Sequence, residues 1–363
     1  MAVPVSPPRD TSSPSSWARV AGAVALLTLI ISVLLTAFAW PSVRSSVHDI
    51  PLAVVGPAPA ADRVSASLAE RMPDAFAVTE VADTATAERL IRDREVYGAI
   101  DVSAGPPRVM IASAASAPVA QALQGVATAL ARAQAPAGSP AVAVRDVVAL
   151  PADDPRGAGL AAGALPLVMG GLLAAALLTS LVRGTGRRVT GALAFAVTGG
   201  LAMAAILQFW LGSLDGAYLA NAGAVALTIA ATALTVLGLE SLLGAAGLGA
   251  GAAVMMLIGN PFAGTSTAPE MLPGWSGALG QLLPPGAGGH LLRSTAFFDG
   301  HDAARSLTVL TAWVVLGAAL CLISGVRARG RSGGDDQRHG RAVAVAVAVN
   351  RGRLTGPAAF HID

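Results

Sequence analysis

Six apolar stretches divide this chain unequally: one near the N-terminus, a long segment of mixed polarity, then five more. They run over Val20–Ala39, Gly159–Val182, Gly191–Leu211, Ala217–Leu239, Ser241–Ile258 and Leu307–Val326. Hydrocarbon offers no partner to free backbone N–H and C=O groups, so a spanning segment must be a helix of about 20 mostly apolar residues. Each stretch fits that demand. The spacing predicts an α-helical polytopic membrane protein of six spans, one plus five, with an extracytoplasmic α/β domain between the first and second. Its parts are a disordered cytoplasmic tail (1–19), the first span (20–39), the α/β domain (40–158), a five-helix membrane domain (159–326) with an outer re-entrant loop (259–306), and a cytoplasmic tail (327–363).

Composition agrees. The chain is 54% hydrophobic and only 13% charged, where a polar surface shell needs roughly a quarter of residues charged. A net charge of +2 gives no reason to expect nucleic-acid binding. All 24 basic residues are arginine. Without lysine the chain has neither a Walker A phosphate loop nor a Schiff-base nucleophile. The lack of lysine beside abundant Ala, Gly and Arg is the composition of a high-GC bacterial genome and suggests a bacterial cell membrane. Cys321, the single cysteine, stands inside the last apolar stretch. It permits no intrachain disulfide and no cysteine-based metal site, and packs as a small hydrophobe. No grouped Asp, His, Ser or Glu near the membrane signals an enzyme, a metal site or a cofactor.

Arginine placement orients the spans. Arg9 and Arg19 precede the first, Arg183, Arg187 and Arg188 fill the turn after the second, and Arg327, Arg329 and Arg331 follow the last. The positive-inside rule makes these segments cytoplasmic, which puts both termini inside and the 41–158 segment and the 259–306 loop outside. Trp40, Trp210, Trp275 and Trp313 fall near the proposed outer boundary, as an aromatic belt requires. Ala37-Phe38-Ala39 resembles a signal-peptidase site, but the apolar stretch is longer than a signal core, favouring an uncleaved anchor.

Residues 1–16 are rich in Pro and Ser and read as disordered. The outer segment reads βαβαββαβ: strands at Leu52–Gly56, Phe76–Val81, Tyr97–Val102, Arg108–Ala112 and Ala141–Leu150, and helices at Asp62–Arg71, Thr84–Val96 and Ala117–Ala133. Asp62 and Thr84 are the expected caps. That order predicts a compact domain with a mixed sheet. Glu88, Arg89, Arg92, Asp93, Arg94 and Glu95 read as a solvated, salt-bridged helix face, and His48 as a lone juxtamembrane residue. In the membrane half, Gln208 and Asn221 either face a substrate route or bridge helices. Glu240 is an ordinary charge if interfacial and a pathway or coupling residue if buried at depth. The loop pieces Gly259-Asn260-Pro261-Phe262 and Leu283-Pro284-Pro285-Gly286 break any long helix. The apolar runs between them suit short re-entrant helices capping the bundle, with Asn260, Pro261, Pro284, Pro285 and Gly286 as gate candidates. The Ala342–Asn350 alternation reads as a short strand or as simple low-complexity sequence and has no functional reading.

The one-domain-five layout, the opening Pro51-Leu-Ala-Val-Val-Gly, the Ala87–Ala99 segment and the run from Asn260-Pro261 to Pro284-Pro285-Gly286 together resemble the ABC-2 type transporter permease superfamily, in its YhgE/Pip-like (phage-infection-protein-like) branch. That resemblance implies a six-helix half-transporter that forms a homodimer and exports a hydrophobic or envelope-related substrate with a separate ABC ATPase subunit. It also implies a coupling helix between the second and third spans and an amphipathic N-terminal helix. Arg183–Val189 reads instead as a tight turn, and residues 1–16 carry no apolar stripe. Arg183, Arg187 and Arg188 are then the contacts on which an ATPase would dock, or they only fix topology. The alternative function is a non-transporting envelope scaffold or receptor, of phage-receptor or secretion-accessory type, whose outer domain binds partners.

Overall fold

The computed structural model describes residues 16–134 and 142–327. The proline-rich head, Arg9, Arg329, Arg331 and the Ala342–Asn350 alternation lie outside the described residues. A long first helix, α1 (Trp17–Val43), leads into an α/β domain built from β1 (Ile50–Val55), α2 (Ala58–Arg71), β2 (Phe76–Val81), α3 (Thr84–Arg92), β3 (Gly98–Asp101), β4 (Arg108–Ile111), α4 (Ala117–Gln134) and β5 (Ala143–Asp146). The sheet order is β2-β1-β3-β4-β5. β1 pairs in parallel with β2 and β3, β3 and β4 are antiparallel, and β4 and β5 are parallel, so the sheet is mixed as expected.

Strand periodicity sorts the core into two layers. Ile50, Leu52, Ile100, Val109 and Ile111 face α2 and α4, where Leu68, Val119 and Leu123 meet them. Ala53, Val55, Ala99 and Met110 face the other way, onto Ala87 and Ile91 of α3. Both caps differ from expectation, α2's by several residues and α3's by one. α2 begins at Ala58, with Pro57 ahead of it, because proline suits the start of a helix. Asp83, not Thr84, caps α3 by accepting from the Thr86 N–H at 2.7 Å. Thr84 turns inward and donates to Asp101 at 2.8 Å.

The C-terminal half contains α5 (Ala158–Leu181), α6 (Thr185–Trp210), α7 (Tyr218–Leu243), α8 (Ala245–Gly259), α9 (Ser276–Gly280), α10 (Pro284–Phe297) and α11 (Ala303–Arg327). Among the described residues, five helices are long and apolar enough to cross a membrane: α1, α5, α6, α7 and α11. α7 is the central one, with 78% of its apolar window buried against none of α1. α7 and α11 cross through Gly238 and Gly317, where the backbone of each helix reaches the other. Cys321 is buried beside them.

The expected fifth span, Ser241–Ile258, is not one membrane-length helix. Gly244 adopts φ +63°, ending α7 and reversing the chain. α8 then packs back along α7, Gly247 against Leu239 and Gly251 against Val236. At 1.5 Å per residue α8 extends only about 22 Å, short of the roughly 30 Å hydrocarbon core. It ends in a π-helical turn, Val254–Gly259, against Pro285 at the start of α10. Pro284 and Pro285 do not prevent a helix here. They occupy its first turn, where no N–H is needed, and α10 runs on to Phe297.

Candidate functional site

The α/β domain and the C-terminal half share core. Ala268 and Met271 join the α2/α4 layer, and Phe298 joins the α3 layer. Polar groups gather where these segments meet, around the turn that follows α3. There Arg94 holds φ +64°, a left-handed conformation that costs a non-glycine residue about 1–2 kcal/mol. Backbone bonds from Arg94 N to Ile91 O and from Glu95 N to Leu90 O hold the turn at 3.2 and 2.9 Å. Its side chain is thereby aimed at α10 rather than along the solvated face of α3.

Arg94 donates to Ser294 Oγ, to the His290 carbonyl at 3.2 Å and to His290 Nδ1 at 3.4 Å. Its guanidinium also lies over the Phe298 ring, 5.1 Å from the centroid. Because Nδ1 receives Arg94, the proton of a neutral His290 belongs on Nε2, which meets Asp302 Oδ2 at 2.8 Å. Asp302 is itself left-handed, at φ +57°. Alongside, His301 pairs with Asp93 at 2.9 Å, and the Tyr97 hydroxyl donates to Glu270 Oε2 at 2.8 Å.

Each group responds to these surroundings. Burial holds the Arg94 guanidinium below its ordinary value, opposed by Tyr97, Asp302 and Glu270. Burial, reinforced by the Glu270 carboxylate, pushes the Tyr97 phenol far up, so it stays a neutral donor. The hydrogen bond from His290 holds the Asp302 carboxyl below its usual range. Between these elements opens a cleft of about 430 Å³ whose walls include His48, Glu95, Glu270, His290, Asp302 and Arg305. It is a polar ligand-sized cavity roofed by the domain and floored by the loop and α10. The Ser294 hydroxyl is occupied by Arg94 and the Tyr97 phenol is held neutral, so neither is an activated nucleophile. What the arrangement provides is a polar cleft bordered by charged and hydrogen-bonding groups of the domain, the loop and α10.

The residues singled out from sequence fall into separate places. Gln208 and Asn221 do come together. Asn221 donates to Gln208 Oε1 at 3.1 Å and to the Asp215 carbonyl at 2.7 Å. Its own Oδ1 accepts from Thr295 at 2.8 Å, and Gln208 donates to the Gly216 carbonyl at 2.9 Å. This knot ties α6, α7 and α10, the helix-bridging alternative. Glu240 lies near the opposite end of α7, about 28 Å away along the helix, and pairs with Arg188 at 3.1 Å. Arg188 also donates to the carbonyls of Val182 and Thr179 at 2.8 and 2.9 Å, closing the end of α5. The expected Arg183–Val189 turn is shorter than read: Arg187 and Arg188 already belong to the first turn of α6. Asn260 and Pro261 line a second cleft beside α1 and α5, whereas Pro284, Pro285 and Gly286 are buried in α10.

Two other expectations change. Asp93 and Arg94 leave the solvated charge run for the junction, while Glu88 keeps Arg92 and Arg145 as surface partners. Trp313 is not at a helix end: it sits well inside α11 and donates its indole N–H to the Leu282 carbonyl at 2.8 Å. The junction residues Arg94, Tyr97, Glu270, His290 and Asp302 were missed because the contacts that join the turn after α3 to the loop and α10 span 173 to 200 positions. One signal was present: His290, Asp299, His301 and Asp302 fall close together in the sequence. No protein-family model, curated protein or solved structure matches this chain.

Proposed function

We propose that this chain is the membrane-spanning subunit of an ABC-2-like exporter, acting as a homodimer with a separate ATPase on a hydrophobic or envelope-related substrate. The observation that carries this reading is the interrupted passage from α8 to α10. A short helix stops at a π-helical turn, and a second, buried helix starts beside it against α7. Irregular backbone at membrane depth is tolerated where protein buries it or where it lines a cavity, and interrupted helices recur at transport sites. In this reading α1, α5, α6, α7 and α11 cross the bilayer and α8 with its loop makes the sixth passage. Arginine placement then turns the α/β domain and the 430 Å³ cleft outward. The almost unburied apolar α1 is available to a second copy or to lipid. With no lysine for a phosphate loop, ATP hydrolysis belongs to another subunit.

One feature favours the scaffold or receptor alternative. An apolar groove of about 460 Å³ runs between α2 and α4 on the domain, lined by Val64, Leu68, Met72, Val126 and Leu130. The test is mild detergent purification of the tagged full-length chain from its native cell, followed by proteoliposome efflux. Export predicts a co-purifying Walker-motif ATPase and nucleotide-dependent efflux of lipid-like cargo. A complex without an ATPase and without nucleotide dependence leaves the scaffold reading.

A further inference from the structure

Among the described residues, Arg293 on α10 is a buried cation without a counter-charge. It is 8% exposed, one Nη donates to the Thr265 carbonyl at 2.7 Å, and its buried Nε has no partner among the described residues. The ion pairs among the described residues do not include it, and the neighbouring charge is a second cation, Arg94. Removing a guanidinium from water without an anion is expensive, and the described residues supply no such anion.

The space beside Arg293 has a shape that suggests the missing group. A pocket of about 90 Å³ is lined by Arg293, Arg156, Ser113, Thr265 and Ser266, together with the start of α5 at Gly157 and Ala158. That volume accommodates a tetrahedral oxyanion, and the wall offers two guanidinium groups and two serine hydroxyls. Asp154 already takes the Ala158 and Gly159 N–H groups at 2.7 Å. Recognition therefore rests on the arginines rather than on the helix terminus. Ala161, Thr265 and Ser266 also line the adjoining cleft of about 300 Å³, whose other walls include Phe38 and Pro41 of α1 and Ala164 and Leu165 of α5. Ser45, whose buried hydroxyl also lacks a partner, faces the same cleft.

We propose that pocket and cleft form one binding site for a phosphate group carried on an apolar chain: the phosphate between Arg293 and Arg156, the ester region at Ser45 and Ser266, and the chain between α1 and α5. The placement rests on the membrane reading above, because α1 and α5 must border lipid for such a chain to enter. It requires neither an ATPase nor transport.

The test is native mass spectrometry and thermal unfolding of the full-length protein, delipidated in nonionic detergent. Phosphatidic acid is compared with diacylglycerol of the same chains and with inorganic phosphate at matched ionic strength. Phosphatidic acid is expected to bind one-to-one and at least tenfold tighter than diacylglycerol, while inorganic phosphate stabilises less. Arg293→Gln, which can keep a donor for Thr265, and the exposed Arg156→Gln are each expected to weaken lipid binding about tenfold. Ala164→Trp should block the lipid while leaving the smaller effect of phosphate. Equal binding of both lipids, or wild-type affinity in Arg156→Gln and Arg293→Gln, overturns the proposal. Stabilisation by inorganic phosphate equal to that by phosphatidic acid overturns the apolar half of the site. Efflux is not measured, so failure here is distinguishable from failure of the exporter reading.

Discussion

Substituting Gly317 by alanine drives a methyl group into the backbone of α7. A Cβ at Gly317 would lie 2.4 Å from the Leu234 carbonyl carbon, 2.5 Å from Thr235 N and 2.7 Å from the Leu234 oxygen. The obstruction is backbone, so no rotamer change relieves it. The crossing is reciprocal, since a Cβ at Gly238 would stand 2.8 Å from the Gly317 carbonyl oxygen. Ordinary contact begins at 3.4 Å, so α7 and α11 must part by about 1 Å there. A gap of that size forfeits roughly a quarter to a half of each affected dispersion contact. Overpacking of this kind costs about 1–3 kcal/mol. Alanine returns about 1 kcal/mol of helix propensity, so the expected net loss is up to about 2 kcal/mol. The control is Gly223→Ala, also on α7, where a Cβ meets nothing within 4 Å. It should be neutral or up to about 1 kcal/mol stabilising. Both variants are compared by reversible unfolding of the full-length protein in mixed micelles, followed by tryptophan fluorescence. In the Gly238→Ala/Gly317→Ala double variant, the second methyl enters a crossing already opened, so its loss should fall short of the two single losses combined. Gly317→Ala as stable as Gly223→Ala would falsify the close-crossing account.

Four further outcomes follow from the polar ties. Arg188→Ala removes two carbonyl caps and an ion pair and should lower stability by about 2–4 kcal/mol in the same unfolding assay. Glu240→Gln removes one partly exposed partner and should cost no more than about 1 kcal/mol; a larger loss for Glu240→Gln contradicts the strut role of Arg188. Asn221→Leu leaves the Asp215 carbonyl and Gln208 Oε1 without their donor and should cost about 2–4 kcal/mol, with stability near wild type counting against the knot. The depressed Asp302 carboxyl contributes stability above its unfolded value of 3.8 and loses it as pH falls through the lower native value. Pepsin cleavage within the 264–302 segment should therefore rise between about pH 4 and pH 2. Asp302→Asn should be cut readily across that whole window, and an unchanged cleavage profile in that variant would refute the link.

Much of the architecture was legible because it depends on local patterns. Alternation in Ile50–Val55 and Arg108–Ile111 reports which side chains face each layer of the sheet. Gly105-Pro106-Pro107 turns the chain between β3 and β4, which pair antiparallel. The Gly244 reversal was hidden inside continuous apolar sequence, since Ser241–Ile258 has the length and composition of a span. Hydropathy measures transfer to lipid, not whether a positive φ interrupts the helix. Arg94 was misread for a related reason. Its neighbours form a helix-face charge run, and only the turn after Arg92 swings its side chain onto α10.

The sequence by itself determined that several helices of this chain suit lipid, that an α/β domain sits between the first and second of them, and that no lysine chemistry is available. Those conclusions rest on composition and on periods of 2 and 3.6 residues, which act over a few neighbouring positions. The tertiary structure decided that α8 stops short against Pro285, that Asn221 and Gln208 bridge helices, and that Arg94 meets His290. It also decided that Arg293 is left without a partner for its Nε among the described residues. Such outcomes depend on groups far apart in sequence sharing one low-dielectric space, where pairing or its absence carries a large free energy.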